Sequence, residues 1–248
     1  MFPAKYLIIN ADDFNLTRGV DQAILECHDH GIVSSTTILM TLPMPPSSVK
    51  ALRSRPFLGK GIHLSLTLGK AVNSKTPFTL NRALLSHIRK IPLKIAEQEY
   101  EAQILKFKRL LGDFPTHMDT HHHIHGHPNI FAAISRLSKK YKIPVREVRG
   151  PHLFEDLDPK HHWTRSKFLN CLKKLPFGIS EIMVHPGYVD GALRKISSFL
   201  TGRDVERRFL RDEKLKGVLD DLNIKLINFS DLTYFRPLYE KTSHFNHK

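Results

Sequence analysis

The chain has 248 residues, 41% of them hydrophobic and 25% charged, which excludes wholesale disorder and allows one large core. No stretch nears the roughly 18 apolar residues of a membrane-spanning helix, and two cysteines, Cys27 and Cys171, are too few for a disulfide framework and fit a reducing compartment. A formal net charge of +14 keeps anionic partners in view.

Read in chain order, short apolar strands alternate with amphipathic helices. Residues 6–10 (YLIIN) form the first expected strand, entered from Met1 without a basic leader, so no secretory signal is expected and the location is read as cytoplasmic. Residues 17–30 carry Val20, Ala23, Ile24 and Cys27 at helical spacing and stop at Gly31. Strands follow at 32–40 and 61–66, and loops over one end of the sheet at 43–46 and 70–82. A helix at 95–111 is closed by Gly112, then come a strand at 116–121, a helix at 128–141 and a strand at 143–148. The rest reads as a helix at 165–175, a strand at 181–185, a helix at 203–222 and a strand at 225–229.

This alternation predicts parallel βαβ units in one domain, 1–248, with a core over about 6–232 and a basic C-terminal tail at 233–248. About seven parallel strands suggest an α/β, TIM-barrel-like fold, a distorted β/α barrel with function at the C-terminal strand ends. The Lys and Arg residues are spread out. Their densest group (Arg203, Arg207, Arg208, Arg211) lies among acids in a helical pattern and reads as a solvated basic surface, which disfavours nucleic acid as the partner.

The strand ends carry chemistry. Asp12 and Asp13 follow the first strand directly; adjacent strand residues point to opposite faces, so both serve one site only if the backbone turns there. Asn15, which tolerates a left-handed conformation, and Thr17, a good N-cap, suit such a turn. The plainer alternative is one capping and one solvated Asp. His63 lies in GIHLSL, where a lone histidine is more often a hydrogen-bonded core residue than a ligand.

Six of the 16 histidines fall between residues 117 and 127, in PTHMDTHHHIHGHP. In strand geometry His117, Asp119, His121, His123 and His125 share one face and His122 points away. Imidazoles beside a carboxylate suit a first-row divalent ion, though five cannot all bind one ion. His185, in IMVHPGYVD, sits at another strand end, with a simple hydrogen-bonded terminator as the alternative. One hydrolase site at the barrel mouth accounts for all four strand ends together.

The segments INADDF, GIVSSTTILM, GIHLSLTLGK, PTHMDTHHHIH and HPGYVD, in this order and spacing, resemble the YdjC-like carbohydrate deacetylase family, whose best-defined enzyme is chitooligosaccharide deacetylase. The resemblance covers about residues 6–232. It implies a TIM-barrel-like fold and divalent-metal-dependent removal of N-acetyl groups from sugars, a hydrolysis of linear amide C–N bonds. The implied metal ligands are Asp13, His63 and His121, with Asp12 as general base and His185 as general acid. His123, His125 and Asp119 are assigned to substrate contacts or ligand support. The implied cofactor is one divalent ion, magnesium or zinc first and manganese or cobalt as alternatives. The implied partner is an N-acetylated oligosaccharide or glycan, and the family suggests a homodimer. Asn15 replaces the glycine that usually follows ADDF, and residues 70–89 match poorly, which bears on the substrate rather than the chemistry. Two other readings are carried: a metal-dependent phosphoesterase on the same site, and a basic metal-dependent binding protein without turnover.

Overall fold

The structure is a computed structural model that describes residues 4–146, 152–153 and 162–234. Its axis is strand β1 (Lys5–Phe14), twice the expected length, with its last eight residues buried. Burial on both faces is what a parallel strand under helices requires, and the run YLIINADDF supplies mostly apolar side chains for it. Helix α1 (Arg18–Asp29) starts where expected, with the Thr17 side chain accepting the Val20 backbone N–H.

Every strand pairing among the described residues is parallel. On one edge β1 pairs with β6 (Gly178–Val184) along Lys5–Ala11. Its other edge is shared, by β7 (Ile224–Leu226) beside Lys5–Leu7 and by β2 (Ser35–Leu39) beside Asn10–Phe14. Pairing of β2 with β3 (Gly59–Leu64), β3 with β4 (Met118–Thr120) and β6 with β5 (His152–Leu153) completes the order β4-β3-β2-β1-β6-β5. The seven strands thus form a parallel half-barrel sheet, with β7 filling part of the β1 edge that a regular barrel strand would occupy whole.

The expected strand at 143–148 is reduced to one bridge, Met118 to Val145, and residues 147–150 lie outside the described residues. So does the basic tail from residue 235 onward.

Helix α2 (Pro46–Arg53), straight after the loop expected at 43–46, is an element not expected from the sequence. Helices α3 (Leu93–Leu111), α4 (Pro128–Tyr141) and α5 (Arg165–Lys174) follow the expected pattern, and α3 ends at Gly112 with φ 99°. After the short α6 (Gly191–Ile196), the helix expected at 203–222 is broken into α7 (Thr201–Leu210) and α8 (Lys214–Asp221). The break falls at Asp212, whose carboxylate accepts the Lys214 N–H at 3.1 Å and so competes with the helical ladder. One contiguous set of buried apolar residues runs from Leu7 to Ile224. No helix of the described residues is long and apolar enough to cross a membrane.

The loop expected at 70–82 is pinned from below. Buried Glu99 on α3 accepts the backbone N–H groups of Val72 and Asn73 at 2.9 and 3.0 Å and the Thr76 hydroxyl at 2.7 Å.

Candidate active site

Strands β1, β3, β4 and β6 end around one buried cluster of charged side chains. Asp12 and Asp13 both face it although they are consecutive. The reason is the backbone of Asp13, whose φ of 72° is left-handed, together with a register slip between β1 and β2 from Ala11 to Phe14. Asn15 is left-handed as well, at φ 75°, and its amide donates to the Leu39 carbonyl at 2.8 Å. Asn therefore sustains the turn in place of glycine.

Asp13 Oδ1, His63 Nε2 and His121 Nδ1 form a triangle with sides of 3.3, 3.2 and 3.2 Å. Donor atoms about 2.0–2.2 Å from one ion, at tetrahedral or octahedral angles, stand roughly 3–3.5 Å apart, so this triangle fits a divalent cation as it is. Asp13 Oδ1 is buried and accepts no hydrogen bond, while its partner oxygen takes the Arg203 Nη2 donor at 2.6 Å. Burial opposes charge on Asp13, but Arg203 and then the two imidazoles outweigh it and hold the carboxyl well below its usual range.

Asp119, opposite His63 in the β3–β4 register, supports the triangle from behind. Its Oδ1 lies 2.6 Å from His63 Nδ1, so Nδ1–H donates there and Nε2 is left to face Asp13. This carboxylate–imidazole pairing is how ligating histidines are commonly oriented. A second acid-rich group, Asp12, His63 and Asp119, is occupied by protein: the Thr37 hydroxyl sits 3.3, 3.3 and 3.0 Å from them.

Asp12 is clamped by Arg146, which donates from Nη1 to Oδ2 at 2.9 Å and from Nη2 to Oδ1 at 2.7 Å. Arg146 is itself buried, and it also reaches Asp119 at 3.0 Å and Glu181 at 2.8 Å. Burial works against ionisation of Asp12, yet the Arg146 guanidinium holds it far below the carboxylate range. His185 Nε2 stands 4.0 Å from Asp12 Oδ2. Burial pushes its imidazole down to about 4, so the ring is neutral in the resting site. The His185 backbone N–H donates to buried Glu206 at 2.5 Å, and Glu206 also accepts the Trp163 N–H. Helix α7 therefore holds the site from two residues three apart: Arg203 on Asp13 and Glu206 on the His185 segment.

The one-face expectation for the histidine run ends at Thr120. Beyond it the chain leaves the strand for a 3₁₀ turn, His121–Gly126, in which His122 and His123 have φ of 62° and 51°. Two successive left-handed residues break the alternation that strand parity assumes. His121 still reaches the triangle. His122 turns to the Thr67 hydroxyl at 2.8 Å, and His125 Nδ1 meets the Thr120 hydroxyl at 2.9 Å. His123 is exposed, within electrostatic range of Arg146, Asp12 and His185. His117 is fully buried beneath the site, stacked on Phe229, and belongs to neither group of convergent donors.

Arg146, Arg203, Glu206 and Thr37 were not singled out by sequence as site residues. Arg203 had been grouped with the solvated basic surface; instead it is buried on Asp13, while Arg207 and Arg208 pair with Asp204, and Arg211 with Glu26. None of the four stood at an expected strand end: Arg146 lay inside the strand expected at 143–148 and Thr37 inside that at 32–40, while Arg203 and Glu206 lay in the expected helix at 203–222.

Three carboxylates crowd one guanidinium, and this has a consequence for stability. Burial, opposed by Arg146, pushes Glu181 up from 4.5 to about 7, and its Oε2 has no partner. A carboxyl raised in the folded state binds a proton that the unfolded chain has released. Its contribution to stability is full below about 4.5 and is lost as pH rises through about 7. We expect urea denaturation to show a smaller loss of stability from pH 5 to pH 8 in Glu181→Gln than in the wild type; equal losses would contradict this protonation.

Three convergent donors, flanked by a clamped carboxylate and an imidazole at the C-terminal mouth of a parallel α/β sheet, are the layout of a hydrolytic enzyme. The chain belongs to the YdjC-like protein family, whose model matches residues 6–221. It is 32% identical to a carbohydrate deacetylase of Geobacillus stearothermophilus, over 92% of this chain and 98% of that protein. It is 29% identical to a chitooligosaccharide deacetylase of Proteus mirabilis, over 92% and 99%. The crystal structure of an Enterococcus faecalis protein, provisionally described as a cellobiose-phosphate cleavage protein, superposes with a TM-score of 0.79 at 29% identity, covering 92% of this chain and 99% of that one.

Proposed function

We propose that this protein is a divalent-metal-dependent carbohydrate deacetylase that hydrolyses the N-acetyl group of an acetylated sugar. The observation that carries the reading is the Asp13–His63–His121 triangle, with its buried, unpartnered carboxylate oxygen, directly beside the clamped carboxylate of Asp12. The names of the relatives supply the substrate class, an acetylated oligosaccharide such as a chitooligosaccharide.

Asp13, His63 and His121 would hold the ion. When bound, a divalent cation supplies Lewis acidity to the attacking water and to the amide oxygen. Asp12, ionised by Arg146, takes the proton of the attacking water. His185 is neutral at rest, so the proton it gives to the departing sugar nitrogen is one received during the reaction. Asp12 Oδ2, 4.0 Å away, is positioned to supply it. Asp119 keeps His63 in the ligating tautomer. His123 and His125, at the mouth, contact sugar hydroxyls. Two imidazoles and one carboxylate suit magnesium or zinc, and also manganese or cobalt.

The same reading takes the sheet as a distorted β/α barrel, the chain as one domain working as a homodimer, and the cytoplasm as its location. The phosphoesterase reading is not favoured, since Thr37 and Arg146 fill the second acid-rich group that another ion would need. A direct discrimination is to offer N,N′-diacetylchitobiose and p-nitrophenyl phosphate in parallel. We expect free amine to appear in step with acetate while the phosphate ester stays intact; the reverse pattern would overturn the assignment.

A further inference from the structure

Three members of the histidine cluster, His117, His122 and His127, have no part in the mechanism above, and of these only His117 is buried. His117 is fully buried, and its ring stacks on Phe229 with centroids 3.6 Å apart and planes 8° from parallel. A glycine makes room for it: a Cβ added at Gly61 would lie 2.4 Å from the His117 ring. A space cleared for a polar ring in an apolar layer asks what its nitrogens do there.

Both nitrogens are in use. His117 Nε2 is 2.9 Å from Asn10 Oδ1, and Nδ1 is 2.9 Å from the Thr116 hydroxyl. The other end of the Asn10 amide, Nδ2, is 2.8 Å from Asp12 Oδ1. The proton positions follow from one end. An ionised carboxylate only accepts, so Asn10 must present its NH₂ to Asp12 and its carbonyl to His117. His117 must then carry its proton on Nε2, and Nδ1 accepts from Thr116. A flipped Asn10 would set its oxygen against the carboxylate oxygen at 2.8 Å, two acceptors with no proton between them.

The result is an asymmetric carboxylate. Asp12 Oδ1 receives Asn10 Nδ2 at 2.8 Å and Arg146 Nη2 at 2.7 Å, while the Thr37 hydroxyl, 3.3 Å away, has Asp119 Oδ2 closer at 3.0 Å. Oδ2 receives Arg146 Nη1 at 2.9 Å, and it is the oxygen near His185. We propose that His117, acting through Asn10, is a positioning residue that saturates Oδ1 of Asp12 and so assigns proton uptake to Oδ2. The proposal rests on the reading of Asp12 as the base.

The test uses the full-length chain loaded with manganese and assayed on N,N′-diacetylchitobiose. His117→Leu removes the Nε2 donor. It is expected to lower kcat about twofold to tenfold, the range of a hydrogen bond between neutral groups, with KM and Mn²⁺ affinity unchanged. His117→Gln places an amide N–H near the same point and restores most of that loss. The double variant Asn10→Leu/His117→Leu is no slower than Asn10→Leu alone, because both act through one link. Equal loss in the Leu and Gln variants, or additive losses in the double variant, would overturn the proposal. Should His117→Leu fail to fold, ¹⁵N NMR of the wild-type histidines still decides it, with a neutral Nε2–H ring expected for His117 and an Nδ1–H ring contradicting it. An active wild type with an unaltered His117→Leu sinks this inference alone. A wild type inactive on acetylated sugars sinks the reading beneath it.

Discussion

The Asp12→Asn variant is expected to fold, to bind its metal and to lose at least about a hundredfold in kcat, in line with the contribution of a positioned general base. Folding is retained because Arg146 keeps Asp119 and Glu181, and because an asparagine oxygen still accepts from one arm of its fork. Metal binding is retained because Asp12 contributes no atom to the Asp13–His63–His121 triangle. What is lost is an ionised oxygen able to take a proton. Steady-state kinetics paired with elemental analysis checks this. A fully active, metal-loaded variant would remove Asp12 as the base.

The second large effect is graded, and the grading is the test. His121→Ala removes one corner of the triangle, and because His121 is half-buried the protein tolerates the loss better than it would at His63. Metal affinity should fall by more than a hundredfold, and activity with it. Asp119→Asn leaves all three donors in place but loses the charge that orients His63, for which about 10–100-fold in affinity is the ordinary cost. Calorimetric titration with Mn²⁺ ranks the two. Equal losses, or a larger loss in Asp119→Asn, would place the ion elsewhere, against the carboxylates rather than the imidazoles.

The features legible in the sequence were local. Apolar runs bounded by Gly and Pro mark the parallel strands, and Asp12, Asp13, His63, His121 and His185 mark their ends. Even the need for a turn at Asp13 follows from strand geometry, with Asn15 as the residue able to make it. Past Thr120 that geometry stopped applying. Nothing in HHHIH announces that His122 and His123 turn left-handed, since no glycine marks the place. The arginines were out of reach for another reason. Arg146 meets Asp12 across 134 residues of chain and Arg203 meets Asp13 across 190. In the sequence each is one basic residue among many, and only the folded sheet shows which of them is buried on a carboxylate.

The central claim is metal-dependent deacetylation at one buried donor triangle. The most direct measurement is acetate release from N,N′-diacetylchitobiose by the purified protein, before and after EDTA and again after a divalent metal is restored. The account predicts release that EDTA abolishes and the metal recovers, at one ion per chain. Release that persists in metal-free protein, or a folded protein that binds no divalent ion at saturation, would contradict it.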